Sequence, residues 1–179
     1  MTQTLKGKTV AILVTDGFEQ VELTEPKAAL EDAGAQVHIL SNRIDNVRGW
    51  NHDKPADDFP VDKTFEVARM EDYDALVIPG GVFNADHIRD LPVAQELVKR
   101  AAHEQKPIAV ICHGAWLLVS AGLVEGRTLT SWHSLKDDIN NAGGNWVDRP
   151  VVQDGLLISS RKPEDLPAFN KQLIESLAA

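Results

Sequence analysis

The only cysteine of the chain, Cys112, is the residue with the clearest potential for chemistry. The apolar run Ile-Ala-Val-Ile at 108–111 precedes it, and His113 and Gly114 follow before an apolar helical pattern begins. This order predicts a strand, a tight turn and a helix start, which would push the Cys112 side chain out above helix N–H groups. Because a helix N-terminus carries partial positive charge and favours a thiolate, Cys112 is a candidate nucleophile or redox centre. The alternative is a cysteine that only packs in the core.

Two neighbouring features would complete a site around such a thiolate. His113 has a side chain that transfers protons near neutral pH, and its backbone N–H is placed to serve an oxyanion hole. It is equally interpreted as a surface histidine of a turn. The sequence Pro-Gly-Gly at 79–81 ends another apolar run, where the backbone N–H of Gly81 would approach a substrate oxygen closely. An ordinary turn is the alternative for these glycines.

The carboxyl groups closest to the first predicted strand provide a partner for the thiol. Glu19 follows that strand and would lie beside Cys112, where it would be protonated or share a proton with the thiol, because two adjacent anions raise one pKa. Glu19 is otherwise an acid at a helix N-terminus, and Glu22 and Glu25 are the other candidates for that structural role.

Two residues are candidates for accessory roles. Asp86 follows the Gly-Gly turn and would either orient a histidine or cap a helix. His133, in the sequence Ser-Trp-His-Ser, is a second candidate base and is equally interpreted as a wall or surface residue. The tryptophans Trp116, Trp132 and Trp146 are expected in the core or at an interface.

The composition restricts the class of protein. With 179 residues, 43% of them hydrophobic and 25% charged, the chain is expected to form one globular domain, 1–179. A net charge of -9 argues against nucleic acid as the main ligand. Glycine-rich phosphate loops and His/Cys clusters with metal-ligand spacing are absent from the sequence, so neither a cofactor nor a metal is expected. A single cysteine, no apolar run of membrane length and no signal-like N-terminus favour the cytoplasm.

Short apolar runs alternate with helical patterns along the chain. The predicted strands are 9–14, 37–40, 74–78 and 108–111; the predicted helices are 21–33, 92–103, 136–142 and 163–177. In the first helix, Leu23, Ala28 and Leu30 are predicted to share one side. Residues 41–60 are predicted as a loop or a small edge hairpin, and Asp154-Gly155 marks a second hairpin. Such alternation predicts a mainly parallel sheet with helices on both faces and a site at the carboxyl ends of the strands.

Three motifs in this order resemble a known family. They are Asp-Gly-Phe-Glu-Gln-Val-Glu-Leu at 16–23, Val-Ile-Pro-Gly-Gly at 77–81 and Ala-Val-Ile-Cys-His-Gly at 109–114. They resemble the PfpI family of intracellular proteases, general stress proteins and reported deglycases, within the class I glutamine amidotransferase-like superfamily. The segments 131–146, 159–161 and 163–169 are similar to it as well, so the resemblance covers nearly the whole chain.

The resemblance implies a flavodoxin-like, Rossmann-like α/β sandwich of three layers with a nucleophile elbow at Cys112. It implies that Cys112 is the nucleophile, Glu19 its carboxyl partner and His113 the catalytic histidine, with the N–H groups of Gly81 and His113 as oxyanion hole. It also implies a homo-oligomer, most often a dimer. Members reported as peptidases carry a Glu shortly after the Gly-Gly turn, whereas this chain has Ala85 at that position.

Three functions follow as hypotheses. The first is a stress-response hydrolase without cofactor, in which Cys112 acts on reactive carbonyls or on early glycation adducts of protein side chains. The second is an oxidative-stress sensor or chaperone-like protein that works through oxidation of Cys112. The third is a cysteine peptidase, which ranks last because the family's Glu is absent at Ala85.

Overall fold

The computed structural model of the protein describes residues 4–179, which form a central sheet between two layers of helices. The strands are β1 (Thr9–Leu13), β2 (Phe18–Glu19), β3 (Gln36–Ser41), β4 (Asn46–Asn51), β5 (Lys54–Pro60), β6 (Lys63–Thr64), β7 (Ala75–Ile78), β8 (Ile108–Ile111), β9 (Thr128–Leu129), β10 (Asn145–Trp146), β11 (Val151–Asp154) and β12 (Leu157–Ser160). The helices are α1 (Val21–Asp32), α2 (Val82–Arg89), α3 (Pro92–His103), α4 (Ala115–Ser120), α5 (Lys136–Asn141) and α6 (Leu166–Ala178).

Seven strands form the central sheet in the order β11-β12-β8-β7-β1-β3-β6. All neighbouring strands are parallel except β11 and β12, which form an antiparallel hairpin. Strands β4 and β5 form a second hairpin, to which the short β2 adds in parallel. The α/β class and the mainly parallel sheet that the sequence predicted are confirmed.

Alternation along the buried strands divides the core into two halves. In β1, Ala11 and Leu13 pack against the layer that contains α2, α3, α4 and α5, whereas Val10 and Ile12 pack against α1 and α6. Strand side chains point alternately to opposite faces, so an unbroken apolar run is buried on both sides. The three-layer arrangement follows directly from the apolar runs of the sequence.

The predicted elements agree with the structure except in a few places. Helix α3 has the predicted bounds, and residues 41–60 contain the β4–β5 hairpin rather than a loop. Helix α2, directly after the Gly-Gly turn, was not predicted. On α1, Leu23 and Leu30 are buried as predicted, whereas Ala28 is exposed; Glu22 and Pro26 complete the buried stripe.

The turn between β7 and α2 is crowded by backbone from a distant part of the chain. Gly81 has a φ of 83°, in the left-handed region that side chains rarely adopt. A Cβ at this position would lie 2.5 Å from the carbonyl oxygen of Gly17 and 2.6 Å from the nitrogen of Glu19. Only glycine therefore allows the carboxyl ends of β1 and β7 to approach each other.

We predict that Gly81→Ala destabilises the protein much more than Gly122→Ala. Both glycines have positive φ, but no atom lies within 4 Å of a Cβ at Gly122. The backbone conformation alone costs about 1 kcal/mol, and the clash at Gly81 adds about 2 kcal/mol or more. Urea unfolding followed by circular dichroism measures both free energies. Equal losses in the two variants would contradict the steric argument.

Candidate active site

Cys112 occupies a sharp turn at the carboxyl end of β8. A single 3-10 turn, Cys112–Gly114, joins β8 to α4, and Cys112 has a φ of 61°. Such a conformation costs about 1 to 2 kcal/mol for a residue with a side chain and is found where function requires it. The backbone N–H of Trp132 donates to the Cys112 carbonyl at 3.2 Å. The predicted strand–turn–helix elbow is therefore present.

The carboxyl group beside Cys112 belongs to Glu22 and not to Glu19. Glu22 lies in the first turn of α1 and is fully buried, and its Oε2 accepts the backbone N–H of Gly80 at 2.6 Å. Its Oε2 and the Cβ of Cys112 both adjoin Gly80, at 2.7 and 2.8 Å from where a Cβ on Gly80 would lie, so the carboxyl and the thiol are neighbours and the charge of Glu22 raises the pKa of the Cys112 thiol. Its second oxygen, Oε1, is buried without a regular hydrogen-bond partner. The assignment of Glu19 as the partner of the thiol is therefore wrong.

Glu19 instead holds the wall of the cleft. It lies in β2, which pairs with β4, and its Oε2 accepts the backbone N–H of His52 at 3.1 Å. This bond ties the turn of the β4–β5 hairpin to the entrance of the site. The pairing of β2 directs Glu19 towards the hairpin, whereas the start of α1 directs Glu22 inwards.

The Glu22 and Cys112 side chains titrate as a coupled pair. Burial raises the pKa of Glu22 to about 8, so this carboxyl is protonated at pH 7. Burial and the negative charge of Glu22 raise the pKa of the Cys112 thiol, opposed by the backbone N–H groups of His113 and Gly81. The charge repulsion is absent while Glu22 keeps its proton. At neutral pH both groups are therefore mainly protonated, and loss of one proton leaves a pair that shares a single negative charge and the remaining proton.

Backbone N–H groups of the Gly-Gly turn and of the elbow act on the sulfur. Those of Gly81 and His113 both lower the pKa of the Cys112 thiol. They are held in place by glycine packing: a Cβ at Gly80 would lie 2.8 Å from the Cβ of Cys112 and 2.9 Å from the His113 nitrogen. The same donors would face an oxygen on a carbon bound to the sulfur.

Asn84 is a positioning residue that the sequence analysis missed. It is fully buried in α2, and its Oδ1 accepts the backbone N–H of Thr15 at 2.7 Å. Its Nδ2 donates to the Gly80 carbonyl at 2.8 Å. Asn84 thus joins the end of β1 to the turn that carries the Gly81 donor. Its spacing of four residues from the buried Ile88 was the available signal, because it places a polar residue on an apolar helix stripe.

The His113 side chain contacts the thiol but has no acidic partner. Its Nδ1 lies 3.3 Å from the Cys112 sulfur, and its ring stacks on Trp132 with centroids 5.8 Å apart. Burial and the nearby charge of His133 lower the pKa of His113 to about 4, so the imidazole is neutral at pH 7. Within residues 4–179, no carboxylate hydrogen-bonds His113. It is therefore a weaker base than its sequence context indicated.

The two accessory candidates are exposed and are not among the residues that line the cleft at Cys112. Asp86 lies in the interior of α2, because that helix already begins at Val82; it does not cap the helix, and it hydrogen-bonds no histidine of residues 4–179. His133 is exposed in a 3-10 turn, with its ring 4.7 Å from that of Trp132. It is a surface residue and does not line the cleft at Cys112.

A cleft of about 860 Å³ opens above Cys112, within the range of small-molecule sites. It is lined by Glu19, Val21, Glu22, Asn51, His52, Asp53, Gly81, Val82, Phe83, Cys112, His113, Trp132, Lys162, Pro163 and Glu164. In the described part of the chain, no three His, Cys, Asp or Glu side chains are grouped so as to hold a metal ion. Nor is any helix of residues 4–179 long and apolar enough to cross a membrane.

A comparison against known families matches residues 8–176 to the DJ-1/PfpI family. This range contains the elbow, the Gly-Gly turn and the cysteine described above. The chain belongs to the DJ-1/PfpI family. A deglycase of Pyrococcus abyssi is 41% identical over 168 residues, which cover 94% of this chain and 98% of that protein. Deglycase PfpI of Pyrococcus furiosus is 38% identical over the same length and with the same coverage.

A solved structure shows the same fold in a larger protein. It is a two-domain protein of Anabaena variabilis with DJ-1/ThiJ/PfpI-like and ferritin-like domains, 33% identical to this chain with a TM-score of 0.90. The match covers 95% of this chain but only 48% of that protein, so this chain spans about half its length. The flavodoxin-like fold expected for the family is confirmed.

We predict that Glu22→Gln lowers the apparent pKa of Cys112 by about one unit or more. The substitution removes the negative charge that opposes the thiolate, and the amide still donates a hydrogen bond. The pH dependence of the alkylation rate of Cys112, followed by mass spectrometry, measures the pKa.

Glu19→Gln is the matched control, since Glu19 holds the hairpin turn and acts on the thiol only indirectly, through the effect of its charge on the pKa of Glu22. Its midpoint should stay within about 0.3 units of the wild type. A shift in Glu19→Gln as large as that in Glu22→Gln would contradict the placement of the two carboxyl groups.

Proposed function

We propose that this protein is a cytoplasmic, cofactor-independent deglycase that acts in stress on reactive α-oxoaldehydes and their early adducts. The observation that carries the proposal is the buried Glu22 carboxyl beside Cys112, protonated at neutral pH, with one oxygen free of other partners. The deglycase names of the Pyrococcus relatives support the same reaction class. A reducing compartment would keep the thiol ready for attack.

The chemistry is an internal redox rearrangement. The pair reacts in its singly ionised form, in which one proton has been lost and the Cys112 sulfur and Glu22 share the other. The sulfur adds to the aldehyde carbon as a thiolate, and the resulting oxygen takes the proton of Glu22, which forms a hemithioacetal. The Glu22 carboxylate then removes the hydrogen on that carbon, and a proton returns to the neighbouring carbonyl carbon through an enediol, which yields a thioester. Water cleaves the thioester to a 2-hydroxy acid and frees Cys112. One carbon is oxidised as its neighbour is reduced, so the net change is the addition of one water.

The surrounding groups fit this sequence of steps. The N–H groups of Gly81 and His113 would stabilise the oxygen that becomes negative when the thiolate adds and when the thioester is hydrolysed. A carboxyl with a pKa of about 8 gives and accepts a proton near neutral pH, as both proton transfers require. For an adduct on an amine or thiol, the same path begins when that group departs with a proton.

We predict that Cys112→Ala abolishes the enzymatic consumption of methylglyoxal and that Glu22→Gln lowers kcat by about 10²-fold to 10³-fold. The alanine variant lacks the nucleophile, and glutamine cannot accept a proton. Lactate formation is measured in phosphate buffer, because amines and thiols in a buffer react with the aldehyde themselves.

Asp86→Asn serves as the control, since Asp86 is exposed on α2 and does not line the cleft at Cys112. It should retain activity within about twofold of the wild type. Lactate formation by Cys112→Ala at the wild-type rate would refute the proposed function.

Oxidation of Cys112 is the second candidate function. A sulfinate at this position would accept hydrogen bonds from protonated Glu22 and from the N–H groups of Gly81 and His113. Two molecules of hydrogen peroxide convert the thiol to the sulfinic acid and leave two of water. The same buried carboxyl supports oxidation of Cys112 as a function. A peptidase function is not favoured, because no acid in residues 4–179 hydrogen-bonds His113.

We predict that graded peroxide adds two oxygen atoms to Cys112 in the wild type and carries more of the Glu22→Ala variant on to the sulfonic acid, because the stabilising donor is lost. Tryptic mass spectrometry quantifies both products. Met70 is only 2% exposed and is itself protected, so an added free methionine peptide should report the general oxidant dose. Equal product ratios in the two proteins would contradict a role for Glu22 in sensing.

A further inference from the structure

One cation faces the Cys112 cleft without a partner. Lys162 is the only lysine or arginine that lines the cleft within residues 4–179. It is half-buried, and in that part of the chain its ammonium group forms neither a salt bridge nor a hydrogen bond. By contrast, the guanidinium of the preceding Arg161 donates hydrogen bonds to the carboxylates of Asp165 and Asp148, each at 2.8 Å.

The backbone around Lys162 is held firmly. The paired Arg161 anchors one side, and the Lys162 carbonyl accepts the backbone N–H of Asp165 at 2.9 Å. Pro163 follows directly and limits the backbone further. The backbone of Lys162 is thus held at a defined place on the cleft wall, and its ammonium group, unpaired within residues 4–179, is available to a ligand within reach of the side chain.

The size of the cleft indicates what such a ligand is. A volume of about 860 Å³ suits a drug-sized molecule, whereas a three-carbon aldehyde on Cys112 would occupy only its floor. The remaining space extends to the wall that carries Lys162. A substrate that fills the cleft therefore has a second part beyond its reactive carbonyl.

The other charges of the cleft limit the charge of that second part. Glu22 is neutral at pH 7. Glu19, whose Oε2 accepts the His52 N–H, and the exposed Asp53 and Glu164 are the other acids of the lining. Lys162 can therefore pair with one carboxylate of a ligand, whereas a phosphate dianion would find no second lysine or arginine in the lining that residues 4–179 form and would be repelled by these acids.

We propose that Lys162 binds the carboxylate of the substrate, so that the preferred substrates are α-oxoaldehyde adducts of small thiols or amines that bear one carboxylate. This specificity rests on the proposed function of Cys112. Lys162 acts on binding and not on the reacting atoms, so its removal changes KM and leaves kcat nearly unaltered.

The test compares two substrates that differ only in charge. They are the methylglyoxal hemithioacetals of N-acetylcysteine and of its neutral amide. Wild type should have a KM about tenfold lower for the carboxylate, and Lys162→Met should lose this preference with kcat within about twofold. Lys162→Arg should restore it. Lys171→Met, an exposed lysine on α6, is the matched control.

A binding experiment separates this inference from the proposed function. Calorimetry on Cys112→Ser measures the affinity for N-acetyl-S-(2-hydroxypropyl)cysteine, a stable thioether, and for its amide. Tighter binding of the carboxylate that disappears in the double variant Cys112→Ser, Lys162→Met supports the role of Lys162 whether or not turnover occurs. Equal affinity for both probes overturns it. Absence of lactate formation by the wild type would instead count against the proposed function alone.

Discussion

The hydrogen bond from the Gly80 N–H to the buried Glu22 carboxyl is the constraint on which the site depends. A carboxyl with no exposed surface is tolerated only when it is neutral or well hydrogen-bonded. Gly80 satisfies one oxygen at 2.6 Å, and the other oxygen is buried without a hydrogen-bond partner in the described part of the chain. Because burial raises the pKa of Glu22, this carboxyl holds a proton beside Cys112 at neutral pH. The same carboxyl would have lost its proton in water.

The rest of the fold keeps this pair together. Parallel strands place the ends of β1, β7 and β8 at one edge of the sheet, and Asn84 joins two of them through its amide. Glycine at 80, 81 and 114 allows the turns to approach within distances that no side chain permits; a Cβ at Gly114 would lie 2.6 Å from the Ile78 carbonyl oxygen. The strained φ of Cys112 persists because the closely packed turns around it hold the backbone in this conformation.

Much of this arrangement was predictable because it is local. Apolar runs, the bounds of α3 and the turn after Ile111 depend on neighbouring residues, as does the elbow that presents Cys112. Glu22 and Asn84 also left a trace, since each lies on the buried stripe of its own helix, four residues before Pro26 and Ile88 respectively. A polar residue on such a stripe marks a position where a buried polar side chain has a structural or functional role.

The sequence by itself determined the α/β class, the elbow and the position of the only cysteine at that elbow. Only the tertiary structure decided which carboxyl meets that thiol, because Glu22 and Gly80 are 58 residues apart in the chain. The pairing of β2 with β4 turns Glu19 away, and the packing of α1 turns Glu22 inwards. The tertiary structure also decided how Cys112 titrates. A helix N-terminus alone would lower the pKa of the thiol, but burial and the neighbouring Glu22 raise it. Burial and the position of Glu22 both depend on how the folded chain packs.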